Sequence, residues 1–333
     1  MKKIIIIGAG AMGSAFAVPC LDNKNDVTIV GTHLEDNLIE TINSNNQTHP
    51  ALKTKLPKEI KFERFEKLQN ILKQDIDIVV CGVSSVGIEW FVQQISKNYK
   101  KKIPIILLTK GLSIVDNELS TLSDKIKNLL EKEGHSEINI SAIKGPCLAA
   151  GLANKMRTGT VIANKNLKES QYLKEIISTN YYSIEISEDI NGVELSGAIK
   201  NIYSMLIGAS EGLSNPKATK EIQSKYFLNT AASLIHRSIS EMVEFVSNYG
   251  GKAETVYGLA GLGDLYVSAI GGRNSLMGKY LGEGHLYNDA KEKFMKDITV
   301  EGAQLALEIG PKILQDLNPK HFPLMFSMLQ TIC

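Results

Sequence analysis

Ile4 to Ile7 is an unbroken β-branched run, which predicts a parallel strand buried on both faces, where no alternation of apolar and polar positions is needed. Val27 to Val30 repeats the pattern after an interval long enough for one helix, so the two runs form a candidate βαβ unit. Further strands are predicted at Ile76 to Val80, Ile103 to Leu108, Ile138 to Ile143, Thr160 to Ala163 and Tyr182 to Ile186, several of them separated by helical intervals. The alternation predicts an α/β fold with a Rossmann-type doubly wound sheet, open to an antiparallel extension. Thr41 to Lys73 is rich in lysine and asparagine without a clear period and reads as a helix and variable loops beside the sheet. From Asp189 the pattern turns into long helical stretches, including Lys217 to Tyr249 and Thr299 to Leu317. A boundary near Ser187 therefore divides the chain into a sheet domain, 1–187, and an all-helical C-terminal domain, 188–333.

Composition narrows the function classes. A chain of 333 residues exceeds one ordinary core, in keeping with two domains. With 43% hydrophobic and 22% charged residues and a net charge of +1, it has no global field for nucleic acid or anionic lipid. Cys20, Cys81, Cys147 and Cys333 are scattered, which suits a reducing compartment, and no clustered ligand set points to a metal. The stretch from Met1 to Cys20 has the outline of a secretory signal ending in a lipoprotein-type cysteine, but cleavage there would remove the first strand and the glycines after it. No other stretch is long and apolar enough to span a bilayer, so the expectation is a cytoplasmic protein without membrane insertion.

Ile7 runs directly into Gly8-Ala9-Gly10-Ala11-Met12-Gly13, a GxGxxG between strand and helix. Gly8 permits the tight turn, Gly10 lets a pyrophosphate approach the backbone and Gly13 lets the helix pack closely, so residues 1–187 are expected to bind a dinucleotide. After the second strand come Gly31-Thr32-His33, with neither the acid that selects NAD nor the arginine that selects NADP; Glu35 and Asp36 follow late and read as a helix start. Lys110 and Lys144 close two predicted strands, where each would either meet an anion or sit solvated in a turn. Lys200 is the one charge between Glu194 and Glu211, either snorkelling to solvent or serving as a buried proton donor or acceptor. Further on, Gly261-Leu262-Gly263-Asp264 offers a carboxylate to orient a lysine, and Arg273-Asn274 offers a planar fork suited to phosphate.

Taken in order, Gly8 to Gly13, Lys110-Gly111, Gly145-Pro146, Ala198-Ile199-Lys200-Asn201, Gly261 to Asp264, Gly272-Arg273-Asn274 and Val300-Glu301-Gly302 resemble the NAD(P)-dependent glycerol-3-phosphate dehydrogenase family over almost the whole chain. The resemblance implies reversible hydride transfer between NAD or NADP and dihydroxyacetone phosphate, giving sn-glycerol 3-phosphate for glycerophospholipid synthesis in a cytoplasmic homodimer. It implies that Lys200 is the catalytic acid or base, with Asp264 beside it and Lys110 touching both substrate and cofactor. Gly145, Asn201, Arg273 and Asn274 would complete the substrate site, the last two on the phosphate. Gly8, Gly10, Ala11, Met12, Gly13, Thr32, His33, Lys110, Ala149, Arg273 and Glu301 would contact the dinucleotide, with no metal involved. Met12, Lys144 and Cys147 depart from the residues usual in the family, which bears on coenzyme preference more than on the reaction. A dehydrogenase of the same fold for another small anionic hydroxy compound, and a non-catalytic NAD(P) sensor, are the rival readings.

Overall fold

The seven predicted strands, in a computed structural model describing residues 1–99, 103–214, 221–222, 227–296 and 298–333, assemble with one further strand into an eight-stranded sheet. The chain forms two compact units: 1–110 with 122–190, and 111–121 with 191–333.

In the first unit, β1 (Lys3–Ile7), α1 (Ala11–Asp22), β2 (Asp26–Val30) and α2 (Asp36–Ser44) are followed by the short ribbon β3 (Thr48–His49) and β4 (Thr54–Lys55). Next come β5 (Lys61–Glu63), α3 (Leu68–Leu72), β6 (Ile78–Cys81), α4 (Ile88–Ser96) and β7 (Pro104–Leu107). The hairpin β8 (Leu112–Val115) and β9 (Glu118–Thr121), which the linear division at Ser187 assigns to the first domain, clusters with the second unit. The chain then returns through α5 (Leu122–Lys132), β10 (Asn139–Lys144), α6 (Ala149–Ala153), β11 (Thr158–Ala163), α7 (Leu167–Ile177) and β12 (Tyr182–Ser187).

The strand order is β12-β11-β10-β7-β6-β1-β2-β5. Neighbouring strands from β10 to β5 run parallel, whereas β11 pairs antiparallel with β10 and parallel with β12. Pairing β1 with β2 on one side and β6 on the other creates a reversal of strand order, the place where open α/β sheets bind ligands beyond the strand carboxyl ends. The apolar run of β1 serves two cores. Ile4 and Ile6 pack with Phe16, Val80 and Ile106 on one face, and Ile5 and Ile7 with Val79, Phe91 and Leu107 on the other. β5 was hidden within the lysine-rich stretch because only Phe62 of Lys61-Phe62-Glu63 is buried, as befits an edge strand.

The second unit is helical: α8 (Ile190–Gly212), α9 (Leu228–Asn248), α10 (Ala253–Tyr257), a π-helical turn at Leu259–Gly263, α11 (Asp264–Gly271), α12 (Arg273–Gly282), α13 (Tyr287–Phe294), α14 (Glu301–Asp316) and α15 (Pro323–Ile332). The predicted helix beginning at Lys217 is seen as α9, and most of its amino-terminal part lies outside the described residues. α8 is apolar nearly all round because it is the central helix, with every residue from Gly192 to Met205 buried. Its own Tyr203 and Met205 share a core with Met242, Phe245 and Phe322, and Leu112 of the hairpin joins the same core. Among the described residues no helix is long and apolar enough to cross a membrane.

Backbone contact locks α8 against α12. A Cβ at Gly278 would lie 1.8 Å from the Met205 carbonyl oxygen, and one at Gly208 would lie 2.0 Å from that of Ser275. One turn on, Gly212 faces the Lys279 carbonyl and Gly282 that of Ala209, at 2.1 and 2.2 Å from their ideal Cβ positions. Two glycines four residues apart on each helix therefore allow an approach no larger residue permits, and this fixes the register of the polar residues one turn away.

Candidate active site

In the first unit, the glycine loop is held from several directions. Gly8 has φ of +111°, and the chain turns there as only glycine does easily; the close approach of Gly82 after β6 bars a side chain as well, since a Cβ would lie 2.7 Å from its carbonyl. At Gly13, α1 packs so tightly that a Cβ would meet the Gly8 oxygen at 2.4 Å. The Ala9 carbonyl receives the Ser14 hydroxyl at 2.9 Å and lies 3.0 Å from His49 Nε2. Because the Leu52 N–H donates to His49 Nδ1, Nε2 carries the proton that reaches Ala9, and burial pushes the imidazole below its ordinary pKa, favouring this neutral tautomer. Above Gly10, by contrast, a Cβ would find among the described residues only Glu35 Oε1 at 3.9 Å, so the backbone is open to a ligand. Ala11, Met12 and Gly13 begin α1 with no acidic residue in its first turn, leaving helix-start amides suited to a pyrophosphate.

Thr32 and His33 lie just past β2, with the His33 ring centroid 5.3 Å from Trp90 and 6.1 Å from Phe65. Lys110 and Gly145 line one small cavity with Met12, Lys144 and Cys147. Lys144 is neither a solvated turn residue nor open to an anion as a surface lysine would be: it is buried and donates to the Leu107 and Thr109 carbonyls at 3.2 and 2.8 Å. It thus ties the end of β10 to the end of β7 just before Lys110. Ala149 opens α6.

In the second unit, Lys200 does not snorkel. Only 4% exposed, it donates to Asp264 Oδ1 at 2.9 Å and to the Ser268 hydroxyl. The glycine-rich turn explains why Asp264 is there. A Cβ at Gly261 would lie 2.1 Å from the Val256 carbonyl, so only glycine lets this turn rest on α10 and start α11 at Asp264. Asp264 and Ser268 are one helical turn apart and reach the same ammonium.

Beside Lys200, the Asn201 side-chain oxygen accepts from the Asn274 amide at 2.9 Å, and Asn274 Oδ1 accepts the Gly302 N–H at 2.8 Å. Asn274 therefore joins α8, α12 and the start of α14. Gly302 must be glycine there, because its Cβ would lie 2.6 Å from the Asn201 carbonyl oxygen. Next along, Arg273 forms an ion pair with Glu301, and their side chains are 54% and 35% exposed. Lys200, Asn201, Asp264, Arg273, Asn274 and Glu301 thus form one patch in which a buried cation gives way to an accessible guanidinium.

A family model described as NAD-dependent glycerol-3-phosphate dehydrogenase N-terminus matches residues 3–170, and its C-terminus counterpart matches residues 189–333. The chain belongs to the NAD-dependent glycerol-3-phosphate dehydrogenase family. It is 34% identical to the NADP(+)-dependent glycerol-3-phosphate dehydrogenase of Archaeoglobus fulgidus, over 94% of this chain and 91% of that relative. It is 32% identical to the glycerol-3-phosphate dehydrogenase [NAD(P)+] of Mesoplasma florum, over 98% and 93%. The fold matches crystalline glycerol-3-phosphate dehydrogenase from Coxiella burnetii with a TM-score of 0.80 and 24% identity, covering 99% of this chain and 98% of that one.

Two polar residues of this family member escaped the sequence reading. Ser268 carries no motif, and its only signal is its position four residues after Asp264 on an α-helix. Glu35, read as a helix-start residue, does stand at the N-cap position of α2, but its side chain caps nothing there and its carboxylate turns back to the glycine loop, accepting the N–H groups of Ala9 and Thr32 at 3.0 and 2.8 Å.

Proposed function

We propose that the protein is an NAD(P)-dependent sn-glycerol-3-phosphate dehydrogenase that reduces dihydroxyacetone phosphate reversibly. The observation that carries this reading is the buried Lys200 ammonium held by Asp264 and Ser268. Burying a charge costs several kcal/mol unless it is paired, and a chain that only needed a stable core would be served as well by apolar residues.

The open backbone above Gly10 and the amides of Ala11, Met12 and Gly13 would hold the pyrophosphate. When bound, the reduced nicotinamide supplies the hydride that C2 of the substrate receives. As the carbonyl double bond opens, negative charge grows on its oxygen; Lys200 stabilises that charge and delivers the proton that completes the alcohol. Asp264 and Ser268 keep Lys200 directed through their hydrogen bonds. In the oxidative direction the same lysine, neutral, takes the proton from the hydroxyl. Asn201 and Asn274 brace this arrangement through the start of α14.

Arg273 serves the substrate phosphate. Its ion pair with Glu301 is exposed and so contributes little to stability, which leaves the guanidinium available for exchange onto a doubly charged phosphate. Arg273→Ala is expected to raise KM for dihydroxyacetone phosphate by about 10- to 100-fold, the loss of about 1.5–3 kcal/mol of charged hydrogen bonding, with a smaller change in kcat. An unchanged KM in initial-rate assays would move the phosphate elsewhere.

The reading itself is tested by adding dihydroxyacetone phosphate and NADH or NADPH to the purified protein. Loss of absorbance at the reduced nicotinamide band, with sn-glycerol 3-phosphate as product, is the expected outcome. Binding of a coenzyme without oxidation in the presence of this substrate would return the sensor and the other-hydroxy-compound readings. A cytoplasmic homodimer supplying glycerophospholipid synthesis belongs to the same proposal, its dimer open to sedimentation analysis.

A further inference from the structure

Glu35 does more than begin a helix. Oε2 is fixed by two backbone amides, one in the glycine loop at Ala9 and one past β2 at Thr32. Oε1 takes no protein hydrogen bond among the described residues and stands 3.9 Å from the ideal Cβ position of Gly10, over the open face of the loop. The adjacent Asp36 has a different task, accepting the Phe65 N–H at 3.1 Å and so tying α2 to the segment after β5.

Resting on the reading that this unit binds a dinucleotide, we propose that Glu35 selects NAD over NADP. A carboxylate at the tip of β2, beside the glycine loop, stands where the adenosine ribose of a dinucleotide lies in this fold class, so Oε1 can accept the ribose hydroxyls. A 2′-phosphate would bring two further negative charges against it. The carboxylate cannot swing away freely, because leaving would strip the Ala9 and Thr32 amides of their acceptor. Nor does Gly31-Thr32-His33-Leu34 contain the arginine that would hold such a phosphate. His33 packs against Phe65 and Trp90. The NADP dependence in the name of the Archaeoglobus fulgidus relative is accordingly not expected to extend to this chain.

Trp90 is the sole tryptophan and lies against His33, so its emission reports coenzyme binding without turnover. Titrating the full-length protein with NADH and NADPH in the absence of substrate should show NADH bound at least about tenfold more tightly, as like-charge juxtaposition dictates. Glu35→Gln, which keeps the shape and one acceptor oxygen, should cut that ratio to about threefold or less, chiefly by tightening NADPH. Glu35→Asp should retain a preference for NADH. The wild-type ratio requires no variant and is decisive alone: NADPH bound as tightly as NADH overturns the proposal, as does a ratio that Glu35→Gln leaves unmoved in a folded protein. Binding of neither coenzyme would overturn the dinucleotide reading itself and this proposal with it, an outcome distinct from binding without preference.

Discussion

Lys200→Met is expected to lower kcat by about 10²- to 10⁴-fold, the contribution of a positioned general acid, while coenzyme binding persists. The same change leaves Asp264 buried, 2% exposed, and without the ammonium that it faces, so a stability loss of about 3–5 kcal/mol should accompany it. The two effects can be separated. In the double variant Lys200→Met with Asp264→Asn, neither charge of the pair is left behind, and much of the lost stability should return. Activity should not return, because the proton source is still missing. Thermal melts and initial rates on the unaltered protein and the two variants check this. Activity that recovers together with stability would show that Lys200 holds the fold and nothing more, and Lys200 would leave the mechanism.

Gly278→Ala is expected to be among the most damaging small substitutions in the second unit. In an open helix, alanine would gain about 1 kcal/mol over glycine through propensity. Here the added methyl would stand 1.8 Å from the Met205 carbonyl oxygen, roughly half an ordinary contact, and backbone on both sides prevents a side-chain rotation from relieving it. Overpacking typically costs about 1–3 kcal/mol and more where nothing yields, so the clash outweighs the propensity and a net loss of about 3 kcal/mol is expected. Parting α8 from α12 would also pull Asn201 from Asn274, so turnover should fall even at temperatures where the variant is folded. Gly271→Ala provides the contrast. Among the described residues no heavy atom lies within 4 Å of its ideal Cβ, and alanine there should be neutral or stabilising by up to about 1 kcal/mol in a denaturant titration. Equal behaviour of the two variants would refute the close-packing account.

What could be read from the residues alone followed from how strongly each position was constrained. Four consecutive isoleucines with no polar break admit few environments, and β1 is where they predict. The GxGxxG carries its geometry in its composition, since Gly8 and Gly13 occupy places that a Cβ would fill. Lys200 was legible because a lone charge in an apolar helix has few fates. β5 was not legible, since one buried side chain in three gives no period. The β8–β9 hairpin turns through Asp116 and Asn117, both at positive φ, a turn chemistry present in the sequence but not used to separate it from the sheet. Glu35 and Ser268 share a deeper difficulty. Their local positions, at a helix start and inside a helix, are ordinary, and what makes them polar partners of the site is a neighbour distant in sequence, Ala9 in one case and Lys200 in the other.

The hairpin also decides how the chain can be divided. The chain passes from one unit to the other between Lys110 and Gly111, between Thr121 and Leu122, and between Ile190 and Asn191. A fragment beginning at Asn191 would therefore lack Leu112, Ile114 and Leu119, which pack into the helical core, and would present their apolar footprint to water. The helical half is not a detachable module: a gene for it alone encodes an unfinished core, and swapping helical halves between relatives requires carrying an eleven-residue passenger from the other side of the chain.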